Sequence, residues 1–261
     1  LENMQIEGVL PNEVTFISIF KACGITGAID KGERILDEVF SMGFLVKENN
    51  MLSNALVDMY AKCGALRKAH NVFEELPQRD VVSWSALIAG YVEHGLSDQA
   101  VKCFRQMEDE EISPDAVTYG CILKACASTR AIEKGGEIHI EIDRRGLLQS
   151  DIYIGNALVD MYVNCGLLSK AHEIFHDLQV QDVVSWTTLI TGYVKHGHAE
   201  EALIVYEKMQ LDNVASNSVT LVACLKACGM IENLGKGKEM YTEVMKKGLL
   251  ETDLNIGNAL I

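Results

Sequence analysis

The chain has 261 residues, and its 23 Lys+Arg against 37 Asp+Glu give a formal charge of −14 at neutral pH. With 48% apolar and 23% charged residues it is not a disordered tail, and no apolar run approaches the roughly 18 residues a bilayer-spanning helix needs. The opening Leu1-Glu2-Asn3-Met4 has no basic start followed by an apolar stretch, so no secretory signal is read there.

Self-similarity organises the rest. Lys21-Ala22-Cys23 returns as Lys124-Ala125-Cys126 and as Lys226-Ala227-Cys228. Asn54-Ala55-Leu56-Val57-Asp58-Met59-Tyr60 returns as residues 156–162, and in part as Asn258-Ala259-Leu260. Val81-Val82-Ser83-Trp84 returns as Val183-Val184-Ser185-Trp186, a shift of about 102 residues. The long period divides into units of roughly 36, 31 and 35 residues. In chain order, residues 1–12 end one unit. There follow 13–49 (long, with one extra residue after Gly43), 50–80 (short), 81–115, 116–151 (long), 152–182 (short), 183–217 and 218–253 (long), and residues 254–261 begin another short unit. Both ends cut a unit, which gives the expectation of a fragment of a longer array.

Each unit is expected to fold as two helices. Only 3 prolines interrupt the chain, and its 21 glycines recur near the ends of apolar segments. In 81–115, Leu87, Ile88 and Tyr91 share a face, Gly95 marks a turn, and Ala100, Phe104 and Met107 form a second stripe at helical spacing. Asp98 and Gln99 open that second helix and Pro114 closes the unit. The equivalent stripes are Ala171, Phe175, Leu178 and Ala202, Tyr206, Met209. One such hairpin cannot bury both faces, but stacked neighbours share a continuous core, so the fold class is all-α, a solenoid of helix-turn-helix repeats.

A constant 34-residue tetratricopeptide pattern wants a small residue after the signature Leu of the first helix. Here Leu87 and Leu189 precede Ile88 and Ile190, and the unit length cycles. The sequence closely resembles instead the plant pentatricopeptide repeats whose units alternate in three lengths. Residues 81–91 resemble the start of the 35-residue type, Val117-Thr118-Tyr119 through Cys126 with Ile138-His139 the long type, and residues 54–64 the short type. The resemblance covers essentially the whole chain. It implies a right-handed α-solenoid that binds single-stranded RNA in chloroplasts or mitochondria, as the targeting part of a C-to-U editing factor. Any deaminase domain would lie outside this fragment, and the fragment itself is expected not to be an enzyme.

By that resemblance, the fifth and last residues of each unit choose the base, from the concave side. The chemistry follows from hydrogen-bonding edges. Uracil and guanine carry a ring N–H, suited by acceptor-only Asp, whereas adenine and cytosine carry a ring acceptor, suited by the amide donor of Asn. A small fifth residue favours purines, and Asn there favours pyrimidines. Asn54 with Asp80 then reads uracil, Ser85 with Asp115 guanine, Asn156 with Asp182 uracil, and Thr187 with Asn217 adenine; Asn258 is the fifth residue of the next short unit. The preferred core is U-G-x-U-A. Long units break the pattern with Ile17 and Asn49, Gly120 and Asp151, and Val222 and Asp253. The resemblance suggests that they read weakly and dock an organellar editing partner. Second residues Val14, Met51, Val82, Val117, Tyr153, Val184 and Val219 should flank the bases, and Lys21, Lys124 and Lys226 are candidates for backbone contact.

The acidic balance opposes RNA at long range and keeps a second reading open, a protein-interaction scaffold without RNA contact. His172-Glu173-Ile174-Phe175-His176 matches the zinc-hydrolase H-E-x-x-H pattern, but Phe175 is repeat core and no third ligand is evident. His139-Ile140-Glu141 resembles the H-x-E of deaminases without the P-C-x-x-C partner. Cys23, Cys126 and Cys228 occupy equivalent places, as do Cys63 and Cys165, which makes them small core residues of separate hairpins, and all eight cysteines are read as reduced thiols. Gly235-Lys236-Gly237 is read as a turn. No cofactor, metal or membrane partner is expected.

Overall fold

A computed structural model describes residues 4, 7–43 and 49–249. Among the described residues there are fifteen helices and no strands. The chain divides into two compact units, Leu1–Ala125 and Cys126–Ile261.

The first unit holds α1 (Glu13–Thr26), α2 (Ile29–Ser41), α3 (Asn50–Lys62), α4 (Leu66–Glu74), α5 (Val81–Glu93), α6 (Ser97–Asp109) and the greater part of α7 (Ala116–Thr129). Each second helix folds back on its own first helix, while α1 packs on α3 and α3 on α5. The second unit repeats the plan with α8 (Ile132–Arg144), α9 (Leu147–Ser150), α10 (Ile152–Asn164), α11 (Leu168–Asp177), α12 (Val183–Lys195), α13 (Ala199–Leu211), α14 (Ser218–Met230) and α15 (Leu234–Lys246). Here α10 packs on α12 and α12 on α14. Within each unit, then, helix-turn-helix repeats stack as an α-solenoid.

The stripes expected from the sequence form the core: Ala100, Phe104, Met107, Ala171, Phe175, Leu178, Ala202, Tyr206 and Met209 are all buried. Neighbouring hairpins lock through aromatic pairs. Phe73 meets Trp84 edge-on with centroids 4.5 Å apart, and Phe175 meets Trp186 at 4.6 Å. A histidine ties each of these hairpins to the next as well. His94 Nε2 donates to the Ala61 carbonyl at 3.0 Å, and His196 Nε2 to that of Val163 at 2.8 Å. Gly64 and Gly166 turn their hairpins at φ 75° and 80°, the left-handed region. Arg130 and Glu232 do the same in the long units at 54° and 53°.

Two expectations are corrected. Unit 116–151 has a third, one-turn helix, α9, because the longer connection lets Leu148 bury itself before Asp151 caps α10. Gly235-Lys236-Gly237 is not a turn but the start of α15, since the Asn233 side chain accepts from the Lys236 N–H at 3.0 Å and opens the helix ahead of it. Among the described residues no helix is long and apolar enough to cross a membrane.

Candidate nucleic-acid interface

The four N–H groups that open a helix lack intrahelical partners, and Asn or Asp at the N-cap satisfies one or two of them. The last residue of each unit does this for the first helix of the next. Asn49 accepts from Leu52 N–H at 3.0 Å, Asp80 from Ser83 at 2.8 Å, Asp115 from Thr118 at 2.8 Å, and Asp151 from Tyr153 at 2.9 Å. Asp182 accepts from Val184 and Ser185, both at 2.9 Å, and Asn217 accepts from Thr220 at 2.9 Å. The cap takes only the Oδ1 atom. Among the described residues, Oδ2 of Asp115, Oδ2 of Asp182 and Nδ2 of Asn217 make no hydrogen bond.

The fifth residue, one turn into the preceding first helix, reaches this cap. Asn54 Nδ2 donates to both carboxylate oxygens of Asp80 at 3.1 Å, and Asn156 Nδ2 to Asp182 Oδ1 at 3.3 Å. Ser85 Oγ lies 3.3 Å from Asp115 Oδ1 and 2.6 Å from Thr118 Oγ1. Thr187 Oγ1 lies 2.7 Å from Thr220 Oγ1, whose hydroxyl donates to Asn217 Oδ1 at 2.9 Å. The structure therefore brings three of the four sequence-matched pairs into direct contact and links the fourth, Thr187 with Asn217, through Thr220. The fifth residues expected to choose the base are mostly turned away from solvent. Asn54, Ser85 and Thr187 are 7–8% exposed: Asn54 is spent on Asp80, Ser85 also donates to the Val81 carbonyl at 2.6 Å, and Thr187 reaches its cap only through Thr220. Asp115 and Asn217 are the exposed members, with Asp80, Asn156 and Asp182 half-buried. The carbonyl oxygens of Asn54 and Asn156 are buried without a partner. Burial works against ionisation of Asp182, but hydrogen bonds from Ser185, Asn156 and Val184 outweigh it and hold the carboxyl below its ordinary range.

Every second residue is exposed despite being apolar. Val14, Met51, Val82, Val117, Tyr153, Val184 and Val219 keep between 51% and 68% of their surface. Each stands two positions after the capping residue. In the long units Ile17 and Val222 are half-buried and Gly120 is buried, and none of these side chains can hydrogen-bond a cap. Asp253 and Asn258 lie outside the described residues. Lys21, Lys124 and Lys226 are exposed and form no ion pair among the described residues. The short units place Asp58 and Asp160 at the same ninth position, tied to Lys62 at 2.8 Å and to Asn164 at 2.9 Å.

Sequence reasoning missed the third residue of each following unit, Ser83, Thr118, Ser185 and Thr220, all buried beside the caps. The signal was present as a Ser or Thr repeating three places after each of these Asp or Asn residues.

The other chemical-looking motifs are built into the repeats. His172 and His176 face each other with Nε2 atoms 2.9 Å apart, and His172 Nδ1 is held by the Tyr193 hydroxyl at 2.9 Å, as His70 is by Tyr91 at 3.4 Å. His139 is buried against Tyr162, Nδ1 to hydroxyl 3.0 Å. Among the described residues no group of three or more His, Cys, Asp or Glu is placed to hold a metal ion. Cys23, Cys103, Cys126, Cys224 and Cys228 are buried and the other three cysteines are half-buried. Burial pushes the thiols of Cys103, Cys121 and Cys126 up to about 11.

A model of the PPR repeat family matches residues 79–128 and 181–230, and a PPR repeat model matches 52–81 and 156–183. A mitochondrial pentatricopeptide repeat-containing protein of Arabidopsis thaliana is 33% identical over 250 residues, covering 96% of this chain and 35% of the relative. A chloroplastic one from the same plant is 33% identical over 229 residues, covering 88% of this chain and 37% of the relative. The chain thus spans about a third of the length of these curated relatives. The fold is similar to that of the pentatricopeptide repeat protein PPR10 solved in complex with an 18-nt psaJ RNA element. The TM-score is 0.62 at 22% identity, covering 99% of this chain and 44% of that one. With the cycling hairpins, the capped first helices and these matches in agreement, the chain belongs to the pentatricopeptide repeat family.

Proposed function

We propose that the chain is a sequence-guided binding module for single-stranded RNA, each 35-residue and short unit choosing one base. The observation that carries this is the recurring pairing of an exposed apolar second residue with a capping Asp or Asn, whose second side-chain atom is free in three of the four reading units. An unstacked base needs both elements, an apolar surface for its face and a polar atom for its edge. The free carboxylate oxygens of Asp115 and Asp182 suit the ring N–H of guanine and uracil. The free amide of Asn217 suits the ring acceptor of adenine. With RNA running 5′ to 3′ along the chain, the core is U-G-x-U-A. Tyr153 is the sole aromatic second residue, so stacking contributes less than hydrogen bonding.

The relatives are named as mitochondrial and chloroplastic proteins. An organellar home, and a role in guiding C-to-U editing with a partner docked on the long units, are the fuller form of the same proposal. A second reading, a protein-interaction solenoid, draws on the charge of −14.

A gel shift at low salt separates the two, comparing an RNA bearing U-G-x-U-A with one bearing U-A-x-U-G. The expected result is preference for the first, and equal affinity would count against base reading. Asn217→Asp replaces the outward donor by an acceptor and is expected to move that unit's preference from adenine to guanine.

A further inference from the structure

The unit that ends at Asn217 is read by a side chain whose two ends are chemically opposite. An amide turned by half a rotation presents a carbonyl instead of an N–H, and would then accept from guanine instead of donating to adenine. Something must fix which end faces outward. Two donors converge on Asn217 Oδ1: the Thr220 backbone N–H and the Thr220 hydroxyl, both at 2.9 Å.

The direction of the hydroxyl network follows from its ends. Asn217 Oδ1 can only accept, so the proton of Thr220 Oγ1 goes to it. Thr220 Oγ1 is then the acceptor in its 2.7 Å contact with Thr187 Oγ1, so Thr187 donates inward. Both threonines are buried, so water does not compete for these bonds. The fifth residue therefore has no proton left to offer a base.

The guanine-reading unit has a similar hydroxyl pair, with Ser85 Oγ also donating to the Val81 carbonyl at 2.6 Å, and its consequence differs. Thr118 N–H and Thr118 hydroxyl meet Asp115 Oδ1 at 2.8 and 2.7 Å, and Ser85 Oγ stands 2.6 Å from Thr118 Oγ1. A carboxylate has two equal ends, so rotating it changes nothing that a base reads.

We propose that Thr220, the third residue of the following unit, is a positioning residue for base choice. With Thr187 it forms a hydroxyl relay that locks the Asn217 amide with its donor outward. The recognition element of an Asn-ended unit is then three residues spread over two repeats. This inference rests on the base-reading proposal above, and the test keeps the failures of the two apart.

The test is fluorescence anisotropy of the whole chain with two RNAs that differ only in adenine or guanine opposite the unit 183–217. Wild type is expected to prefer adenine. Thr220→Val keeps the shape and the backbone donor but removes the hydroxyl, and is expected to reduce the adenine-over-guanine ratio about two- to tenfold, the worth of one hydrogen bond. Thr220→Ser is expected to restore the ratio. Thr118→Val is expected to leave the guanine preference of its own unit unchanged. In an Asn217→Asp background, Thr220→Val is expected to have no effect on the ratio.

A general structural role for the threonine would instead lower affinity for both RNAs equally, and that outcome overturns the inference. So does a shift in preference for Thr118→Val as large as that for Thr220→Val. Should Thr220→Val not fold, Thr187→Val removes the hydroxyl that feeds the relay from the neighbouring helix, and an unchanged ratio there counts against it. Absence of any preference in wild type overturns base reading itself, and this inference with it.

Discussion

One carboxylate at the end of each short unit serves two hydrogen-bonding geometries at once. Asp182 closes the first turn of α12 through Val184 and Ser185 and also takes the amide of Asn156. Asp182→Ala removes the cap and orphans that amide, and a loss of about 1–3 kcal/mol in urea unfolding is the expected result. The same bonds hold its carboxyl below the ordinary value of 3.8. A depressed pKa means stability that is complete above the unfolded value and is lost as pH falls through the folded one. Thermal unfolding scans between pH 5 and pH 2 should therefore fall less steeply for Asp182→Asn than for wild type. The sequence shows Asp or Asn at these places but not that each is first a helix cap, so a base-reading residue and a capping residue look alike until the second side-chain atom is located.

At the scale of the helix, the hairpins depend on a few large side chains that the repeat places identically. Trp186 is 2% exposed and stands edge-on to Phe175 across two hairpins. Trp186→Ala should cost about 3–5 kcal/mol in denaturant unfolding, through lost burial and the cavity left behind. First helices are capped by side chains, but α2, α4, α6, α8, α11 and α13 are not, and each opens after a tight turn from its partner. Their stability comes from packing, as is usual for helices of 9 to 13 residues. The periodic apolar stripes made these helices legible. The one-turn α9 was not, because four residues, Leu147–Ser150, are too few for a periodicity to register.

For the molecule as a whole, the −14 charge and the proposed affinity for RNA are reconciled only through distribution. Lys62, Lys68, Arg79, Lys170 and Lys236 are held by carboxylates, whereas among the described residues Lys21, Lys124 and Lys226 have no such partner. If these three lysines neutralise phosphates, the triple substitution to Gln should flatten the slope of log K against log salt by about 0.7 per lysine, with the base preference unchanged. Titration of binding between low and moderate salt measures this. The three unit lengths, the hairpin in each unit and the residue types at the second, fifth and last positions are all properties of the one-dimensional sequence. A repeat that buries its core only against its neighbours writes its period directly into the chain. Tertiary structure alone decided which atoms those residues have left to offer. Capping is a contact between consecutive repeats, and it consumes the fifth-residue hydroxyls, buries Asn54, and leaves a single outward atom on Asn217 whose identity is fixed by a threonine in the next unit.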